Sequence, residues 1–323
     1  MQGKSEMLLG IGNGAIAGAL WGFVFLAPQL LPGFSSAQLS VARYLVYGLF
    51  SLLLLAPRWR ALPQLGGRDW FALVRLGMLG NIVYYVLLAY AIRLAGGAAA
   101  SLILGLVPVV VSFVGVREGG AVRLSRLIPP MLLCCVGVAL IGYEALRSEA
   151  LDVSPAMRLL GIGCAFGALA SWSAYAIFNS RHLTRLAQVS SHDWSLLTGV
   201  VTGALALALG MLVFALESPD SAAPHGGRDW LHFWAVSAGV AVFASIIGNR
   251  FWNQASRLLP LTLMGQMIVF ETLFALLYSF LWEQRLPTPI EVLAIVCLVV
   301  GIVWCASAHR SKQHAAAAPE SIP

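Results

Sequence analysis

A five-residue motif, Gly-Gly-Arg-Asp-Trp, occurs twice in this chain, at residues 66–70 and again at 226–230. Each copy comes directly before a long apolar run. Two further pairs keep the same order along the chain, at offsets of 155 and 164 residues against 160 for the motif. They are the serine pairs 35–36 and 190–191, and the Val-Gly pairs 136–137 and 300–301. Short insertions therefore separate two copies of one unit, and such a repeat constrains the architecture before any single element does.

The composition indicates that the solvent of this chain is largely lipid. Of its 323 residues, 59% are hydrophobic and only 11% are charged, whereas soluble domains carry about 25% charged residues. The net charge of +6 does not indicate a nucleic-acid partner, because the arginines lie at the ends of apolar runs and form no basic stripe.

Ten apolar runs are long enough to cross about 30 Å of hydrocarbon as helices. The fold class predicted is an all-α integral membrane protein, with ten transmembrane helices arranged as two inverted five-helix repeats. The first repeat covers 1–151, the second covers 152–310, and a disordered cytoplasmic tail covers 311–323. The predicted spans are 8–31, 36–56, 70–92, 96–116, 124–144, 158–180, 194–216, 230–252, 260–282 and 288–308.

The distribution of arginine and lysine predicts the orientation. With the N-terminus in the cytoplasm, the inner ends of the spans carry 13 basic residues and the outer ends 5, as the positive-inside rule requires. Both termini are then cytoplasmic. Because each repeat has an odd number of spans, the second repeat enters from the opposite side. Inverted repeats of this kind are typical of alternating-access transporters, whose substrate sites lie near the midplane.

The chain resembles the ten-helix, EamA-type branch of the drug/metabolite transporter superfamily, and within it the YddG-type aromatic amino-acid exporters. The resemblance covers nearly the whole chain and is most specific in the second half. The first half contributes Trp21, Arg43 and Pro108. The second-half motifs are Asn-Arg-Phe-Trp-Asn-Gln at 249–254, Leu-Pro-Leu at 259–261, Gly-Gln-Met-Ile-Val-Phe-Glu-Thr-Leu-Phe at 265–274 and Glu-Gln-Arg-Leu-Pro at 283–287. The resemblance implies a multi-pass exporter of amino acids and similar metabolites in a bacterial inner membrane. It also implies a central cavity lined by helices 1, 3, 4, 6, 8 and 9.

Aromatic, polar and methionine side chains fall at one depth in several spans, since a helix rises about 1.5 Å per residue. Aromatic walls with a few polar groups suit an amphipathic solute, although aromatic residues in membrane helices also serve as packing or interface anchors. The predicted substrate-binding residues are Trp21, Asn81, Tyr84, Tyr85, Trp172, Tyr175, Ser245, Asn253, Met264, Gln266, Met267 and Glu271.

Glu271 is the carboxylate that lies deepest in any predicted span, and Arg43 lies deep in another. A charged group inside the membrane is costly unless it is paired, which makes Glu271 a functional candidate. It either contacts substrate or pairs with Arg43 and holds two helices together. Arg43 is correspondingly a possible charge partner.

Glycines recur at every fourth position along the first span, at 10, 14, 18 and 22, and a similar series begins at 163 in the sixth. Small residues at this spacing allow close approach of helices in lipid. We therefore expect both series to be packing surfaces.

The sequence does not contain the residue patterns of a catalytic site or a metal site. The five cysteines all fall inside apolar runs, the six histidines lie at or beyond helix ends, and there is no His-Glu-x-x-His motif. We therefore expect no catalytic residues, no metal site and no cofactor, and we predict that the chain is not an enzyme.

The predicted function is a secondary transporter that exports amino acids, aromatic and other neutral ones, together with related metabolites, by alternating access. One alternative is a proton-coupled multidrug or cation efflux pump that uses Glu271. A second is a membrane scaffold that transports nothing. The expected partners are a small-molecule substrate (amino acids or organic cations) and the lipid bilayer, and the expected state is a monomer.

Overall fold

The computed structural model describes the following residues of the chain: 2–31, 33–34, 36–62, 64–95, 100, 103–115, 124–148, 154–186, 188–216 and 226–317. These residues are almost entirely helical, and no strand occurs among them. The chain is an all-α membrane protein, as its composition predicts.

The main helices are labelled here in chain order. They are α1 (Gln2–Gly22), α2 (Ser36–Leu55), α3 (Gly67–Gly77, Met78–Ile82 and Val83–Ala95), α4 (Val107–Gly115), α5 (Leu124–Ser148), α6 (Pro155–Arg185), α7 (Ser191–Leu216), α8 (Gly227–Val240, Ala241–Gly248 and Asn249–Leu258), α9 (Leu261–Met267 and Val269–Glu283) and α10 (Pro289–Ala317).

Six stretches of the described residues are long and apolar enough to cross a membrane. Two shorter apolar helices, Ser125–Leu140 and Pro289–Cys305, accompany them. The predicted count of ten spans stays a prediction, and so do the boundaries of the two repeats. Residues 96–99, 101, 102 and 116 of the predicted fourth span lie outside the described residues. The six long stretches are Gln38–Arg60, Gly67–Ile92, Pro155–Arg185, Ser191–Leu212, Gly227–Leu258 and Leu261–Trp282.

The two copies of the repeated motif form the same helix start. Gly66 and Gly226 precede α3 and α8 with nearly identical extended backbones, φ −76° and −75°. Asp69 accepts a hydrogen bond from the backbone N–H of Gly66 at 3.2 Å, and Asp229 accepts the equivalent bond from Gly226 at 2.9 Å. A carboxylate in the first turn also interacts favourably with the helix dipole. The motif therefore encodes a capped helix N-terminus.

The first and last predicted spans differ from the helices observed. The predicted span 8–31 is not one helix, because α1 ends at Gly22 and is followed by a 3₁₀ turn, Phe23–Phe25, and a short helix, Ala27–Leu30. Pro28 has no backbone N–H to donate to the preceding turn, which explains the break. At the other end, α10 continues to Ala317, into the segment for which the sequence predicts disorder. Alanine has the highest helix propensity, and residues 315–317 are all alanine.

Helices α3 and α8 each contain a π-helical segment in mid-course, Met78–Ile82 in α3 and Ala241–Gly248 in α8. A π-helix shifts the backbone hydrogen bond from i→i+4 to i→i+5, and such segments occur frequently at functional sites. Each leaves backbone carbonyl groups available to side chains of neighbouring helices.

The helices pack in pairs that join the two halves of the chain: α2 against α7, α5 against α10, α3 against α6, α1 against α8 and α9, and α4 against α9. In the α5–α10 pair the contact is reciprocal. A methyl group at Gly137 would lie 2.9 Å from Leu298 Cγ, and one at Gly301 would meet the sulfur of Cys134. These two contacts are related by the 164-residue offset between the Val-Gly pairs.

The glycine series of α1 is a packing surface, as predicted. A methyl group at Gly14 would lie 2.8 Å from Met267 Cγ, and one at Gly18 would lie 2.8 Å from the backbone nitrogen of Glu271. The prediction is wrong at the start of the α6 series, because a methyl group at Gly163 would meet nothing within 4 Å. Four-residue spacing places glycines on one face but does not determine which helix, if any, covers it.

Candidate functional site

Arg43 on α2 and Ser245 on α8 are in direct contact. The Nε of Arg43 donates a hydrogen bond to Ser245 Oγ at 3.1 Å. The guanidinium carbon also lies 5.2 Å from the centroid of the Tyr44 ring, which partly compensates its charge through a cation–π interaction. Ser245 belongs to the π segment of α8 and is only 2% exposed. Arg43 is therefore anchored between two helices.

Glu271 on α9 lies within electrostatic range of Arg43. The two side chains do not form one of the direct ion pairs found in the described part of the chain, which are Arg58–Asp193, Arg185–Asp69 and Arg285–Glu291. Both side chains are partly exposed, so one positive and one negative group lie near each other on helices from different halves of the sequence.

Tyrosines surround this charged pair. Tyr84 lies within electrostatic range of Glu271 and Arg43, and it is partly exposed, as is its neighbour Tyr85. The Tyr85 ring makes an edge-to-face contact with Tyr44, with centroids 6.2 Å apart. Aromatic rings with hydroxyl groups offer both apolar surface and hydrogen bonds to a small solute.

Three tryptophans from different helices form a cluster, which we call the tryptophan cluster: Trp21 of α1, Trp172 of α6 and Trp252 of α8. Their ring centroids are 5.0–6.2 Å apart, within the usual range for aromatic pairs. Tyr175 extends the cluster at 5.8 Å from Trp172. All four side chains are buried, with exposed fractions of 1–9%. The cluster therefore packs α1, α6 and α8 against one another.

Both π segments are held by side chains from the opposite half of the sequence. The indole N–H of Trp21 donates to the carbonyl oxygen of Ala244 at 3.0 Å, and Ser171 Oγ donates to the carbonyl oxygen of Leu79 at 2.8 Å. A buried carbonyl released by the π geometry needs such a partner. Asn81, in the α3 segment, donates to Thr202 Oγ1 of α7 at 3.2 Å.

A polar chain of buried side chains, which we call the asparagine network, joins α6, α7 and α8. Asn179 Nδ2 donates to Asn253 Oδ1 at 2.8 Å, and Asn179 Oδ1 accepts from Trp194 Nε1 at 2.9 Å. Asn253 Nδ2 also donates to the Ser191 carbonyl at 3.5 Å. Because these groups satisfy one another, the network fixes the relative positions of the three helices.

The remaining predicted site residues are packed inside the protein. Met264 and Met267 are each 1% exposed, and Gln266 is fully buried. Gln266 donates to Ser112 Oγ at 3.3 Å and faces Cys134 at 3.7 Å, so its amide connects α9 to α4 and α5. The structure thus separates the predicted residues into a partly open group around Arg43 and Glu271 and a closed group beside it.

Comparison with known proteins agrees with this architecture. The model of the EamA-like transporter family matches in two segments, residues 8–143 and 159–307. The chain belongs to the EamA-like transporter family. It is also similar to "Inner membrane protein YtfF" of Escherichia coli (strain K12), with 32% identity over 314 residues, covering 95% of this chain and 97% of that protein. This EamA-family chain shares its fold with a solved crystal structure at a TM-score of 0.73, with 19% identity over 95% of this chain and 98% of the other.

Sequence reasoning did not select Tyr44 or Asn179 for the site. Tyr44 adjoins Arg43 and is 3% exposed, and Asn179 is 1% exposed. The sequence signal for Tyr44 was its position next to Arg43. The signal for Asn179 was its position one helical turn after Tyr175. Neither signal separates a contact in the site from ordinary packing.

Proposed function

We propose that this EamA-family transporter exports neutral amino acids, including aromatic ones, by alternating access. Transport of small solutes across the membrane follows from family membership. The relative YtfF is an inner membrane protein, and we propose the same location for this chain. The observation that carries the choice of substrate is the placement of Arg43 and Glu271, on helices from different halves, within electrostatic range of each other but without a direct ion pair.

A zwitterion fits these two charges. The carboxylate of an amino acid is complementary to the guanidinium of Arg43, and its ammonium group is complementary to the carboxylate of Glu271. No direct ion pair joins Arg43 to Glu271, so each group can still bond to a solute. Tyr84 and Tyr85 provide apolar surface for the side chain of that solute.

Alternating access is supported by the reciprocal packing of the two halves. The pairs Gly137–Leu298 and Gly301–Cys134 exchange roles between α5 and α10, as expected for two halves related by a two-fold axis. The two helix starts at Gly66 and Gly226 and the two π segments give the same relation. The family model also matches in two segments. A unit of two related halves can rock about a site placed between them.

Counterflow in proteoliposomes tests the proposal. Vesicles containing the purified protein are loaded with an unlabelled neutral amino acid such as phenylalanine, and entry of radiolabelled phenylalanine is measured with and without a pH gradient. We expect labelled phenylalanine to accumulate both with and without the pH gradient. Vesicles that accumulate no labelled solute of any class would favour the scaffold alternative, and accumulation of an organic cation only under a pH gradient would favour the cation pump.

Substitutions at the two charges sharpen the test. Arg43→Gln and Glu271→Gln each remove one charge-assisted interaction, which typically costs about 1.5–3 kcal/mol, so the apparent affinity should fall roughly tenfold to a hundredfold. Glu6→Gln is the matched control, because Glu6 is exposed at the start of α1 and should change nothing. Unchanged affinity in both site variants would leave Arg43 and Glu271 with a structural role.

A further inference from the structure

An open cavity with basic and apolar lining residues lies between the start of α3 and the end of α6, away from Arg43 and Glu271. Its volume is about 340 Å³ and its lining residues are Gly67, Arg68, Phe71, Ala72, Arg75 and His182. This volume falls in the range of roughly 300–1,000 Å³ that small-molecule sites occupy. The lining combines two guanidinium groups and an imidazole with an apolar wall, which is the composition that an anionic amphiphile requires.

The two arginines of this cavity lack an anionic partner in the described part of the chain. The described ion pairs include neither Arg68 nor Arg75. The neighbouring Asp69 is already engaged, since its Oδ1 accepts from Arg185 at 2.7 Å and its Oδ2 accepts from the Gly66 amide. No direct ion pair among the described residues therefore neutralises the two arginines of the cavity.

A second observation also indicates that Arg75 has no anionic partner among the described residues. Its Nε is buried and has no hydrogen-bond acceptor among the described residues. Its guanidinium carbon lies 4.0 Å from the centroid of the Phe178 ring, so a cation–π contact covers one face only. An uncompensated buried donor costs on the order of a hydrogen bond. A phosphate oxygen entering the cavity would remove that cost.

His182 is oriented by the protein. Its Nδ1 lies 3.1 Å from the carbonyl oxygen of Phe178, and a carbonyl can only accept, so Nδ1 carries the hydrogen. The ring is held against Trp194 with centroids 6.2 Å apart. A neutral ring with its hydrogen on Nδ1 has an acceptor at Nε2, so the two arginines provide the donors for an anion in the cavity.

The position of the cavity matches the headgroup region of a bilayer. Gly67 begins α3 and Arg185 ends α6, so both helices reach the membrane surface here. Arg75 lies eight residues further along α3, about 12 Å deeper at 1.5 Å per residue, and it lines the same cavity as Arg68. Phe71 is 67% exposed on the outer face of α3, where an acyl chain would lie.

The second copy of the repeated motif shows that the helix cap does not require an arginine at the position of Arg75. Gly226, Arg228 and Asp229 reproduce the helix start of the first copy. The position that corresponds to Arg75, nine residues after the capping glycine, is Ala235. A capped α8 therefore forms without a second deep arginine, and Arg75 is not needed for the cap in α3.

We propose that the cavity lined by Arg68, Arg75 and His182 binds the anionic phosphodiester headgroup of a phospholipid. The phosphate contacts the two guanidinium groups, which suit phosphate oxygens geometrically, and the acyl chains lie along Phe71. Basic pockets between membrane helices bind such headgroups when they face an anionic leaflet, and the predicted orientation places this cavity on the cytoplasmic side. The binding does not depend on which solute is transported.

Native mass spectrometry of the purified full-length protein tests the proposal. The protein is delipidated in detergent and titrated with phosphatidylglycerol or with phosphatidylcholine. We expect tighter binding of phosphatidylglycerol by about tenfold or more. The Arg68→Gln/Arg75→Gln variant should lose that preference, and Arg75→Lys should keep part of it because the charge remains. The matched control is Arg228→Gln, which removes the corresponding exposed arginine of the second motif and should bind as the parent protein does.

Two further measurements use the unsubstituted protein, so misfolding of a variant cannot affect them. They identify the source of the phosphate and the position of the bound lipid. Inorganic phosphate should not displace the lipid at equal concentration; displacement would assign the cavity to a soluble phosphate and overturn the lipid proposal. A phosphatidylglycerol carrying a photoreactive acyl chain should crosslink the unsubstituted protein near Phe71. Crosslinks that avoid α3 and α6, or equal lipid binding by the double variant and the parent protein, would also overturn it.

Discussion

Gly48 on α2 and Gly203 on α7 cross with their backbones in contact. A methyl group at Gly48 would lie 2.5 Å from the Cα of Gly203, and one at Gly203 would lie 2.6 Å from the Cα of Gly48. Each glycine therefore packs against the Cα of the other, and the contact is symmetric. The two positions also differ by 155 residues, the offset that relates the serine pairs before these helices. Helix packing of this closeness is possible only between residues without side chains.

Alanine at Gly48 should therefore destabilise the protein. The added methyl group meets backbone, which cannot move aside as a flexible side chain can, and overpacking typically costs about 1–3 kcal/mol. Thermal unfolding of the purified protein in detergent measures the effect. The matched control is Gly12→Ala, since a methyl group there would meet nothing within 4 Å. Equal melting temperatures for the two variants would contradict the observed crossing.

Phenylalanine at Trp21 tests the bond to the π segment of α8. The substitution keeps an aromatic ring in the tryptophan cluster but removes the N–H that donates to the Ala244 carbonyl. Leaving a buried acceptor unpaired costs about 1–3 kcal/mol, so the melting temperature should fall. Trp59→Phe is the comparison, because Trp59 is 48% exposed and should tolerate the change. A variant at Trp21 as stable as the one at Trp59 would show that the hydrogen bond contributes nothing.

The π segments also show where sequence reasoning stops. Apolar composition and span length predict the helices α3 and α8 well, because lipid requires every backbone group to be bonded within its own helix. The same composition is compatible with i→i+4 and with i→i+5 bonding. The choice depends on side chains from α1 and α6, such as Trp21 and Ser171, whose proximity is a property of the tertiary fold.

The candidate site divides in a similar way. Counting depth along the spans selected Trp21, Trp172 and Tyr175, and the structure brings these three together. The same count selected Gln266, whose amide is bonded to Ser112 inside the protein. Depth fixes the level of a residue but leaves its direction around the helix open, and that direction is what decides between a cavity and a neighbouring helix.

Leucine at Asn179 should weaken the packing of α6 against α7 and α8. The substitution is close in size but leaves Trp194 Nε1 and Asn253 Oδ1 without their bonds to Asn179. Each unpaired buried group costs about 1–3 kcal/mol. Thr184→Ala provides the control, because its hydroxyl only bonds back to its own helix at an exposed position. Unfolding curves that coincide for the two variants would exclude a stabilising role for the asparagine network.

The two capped helix starts provide a direct test of the inverted repeat. The arginine distribution and the odd number of predicted spans per half place residues 66–70 in the cytoplasm and 226–230 outside. Gly67→Cys and Gly227→Cys are suited to labelling, because both positions are exposed and a side chain at either would meet nothing within 4 Å. Each is introduced into a chain whose native cysteines are replaced by alanine.

A membrane-impermeant maleimide applied to intact cells should then label the Gly227→Cys protein alone, and in inverted vesicles it should label the Gly67→Cys protein alone. A permeant maleimide checks that both thiols are reactive. Labelling of both positions from the same side would mean that the halves are parallel and would contradict a two-fold axis in the membrane plane. The predicted pattern, with the Gly67→Cys protein labelled only in inverted vesicles, would place the cavity lined by Arg68 and Arg75 on the cytoplasmic face, where the anionic headgroups of that leaflet are within reach.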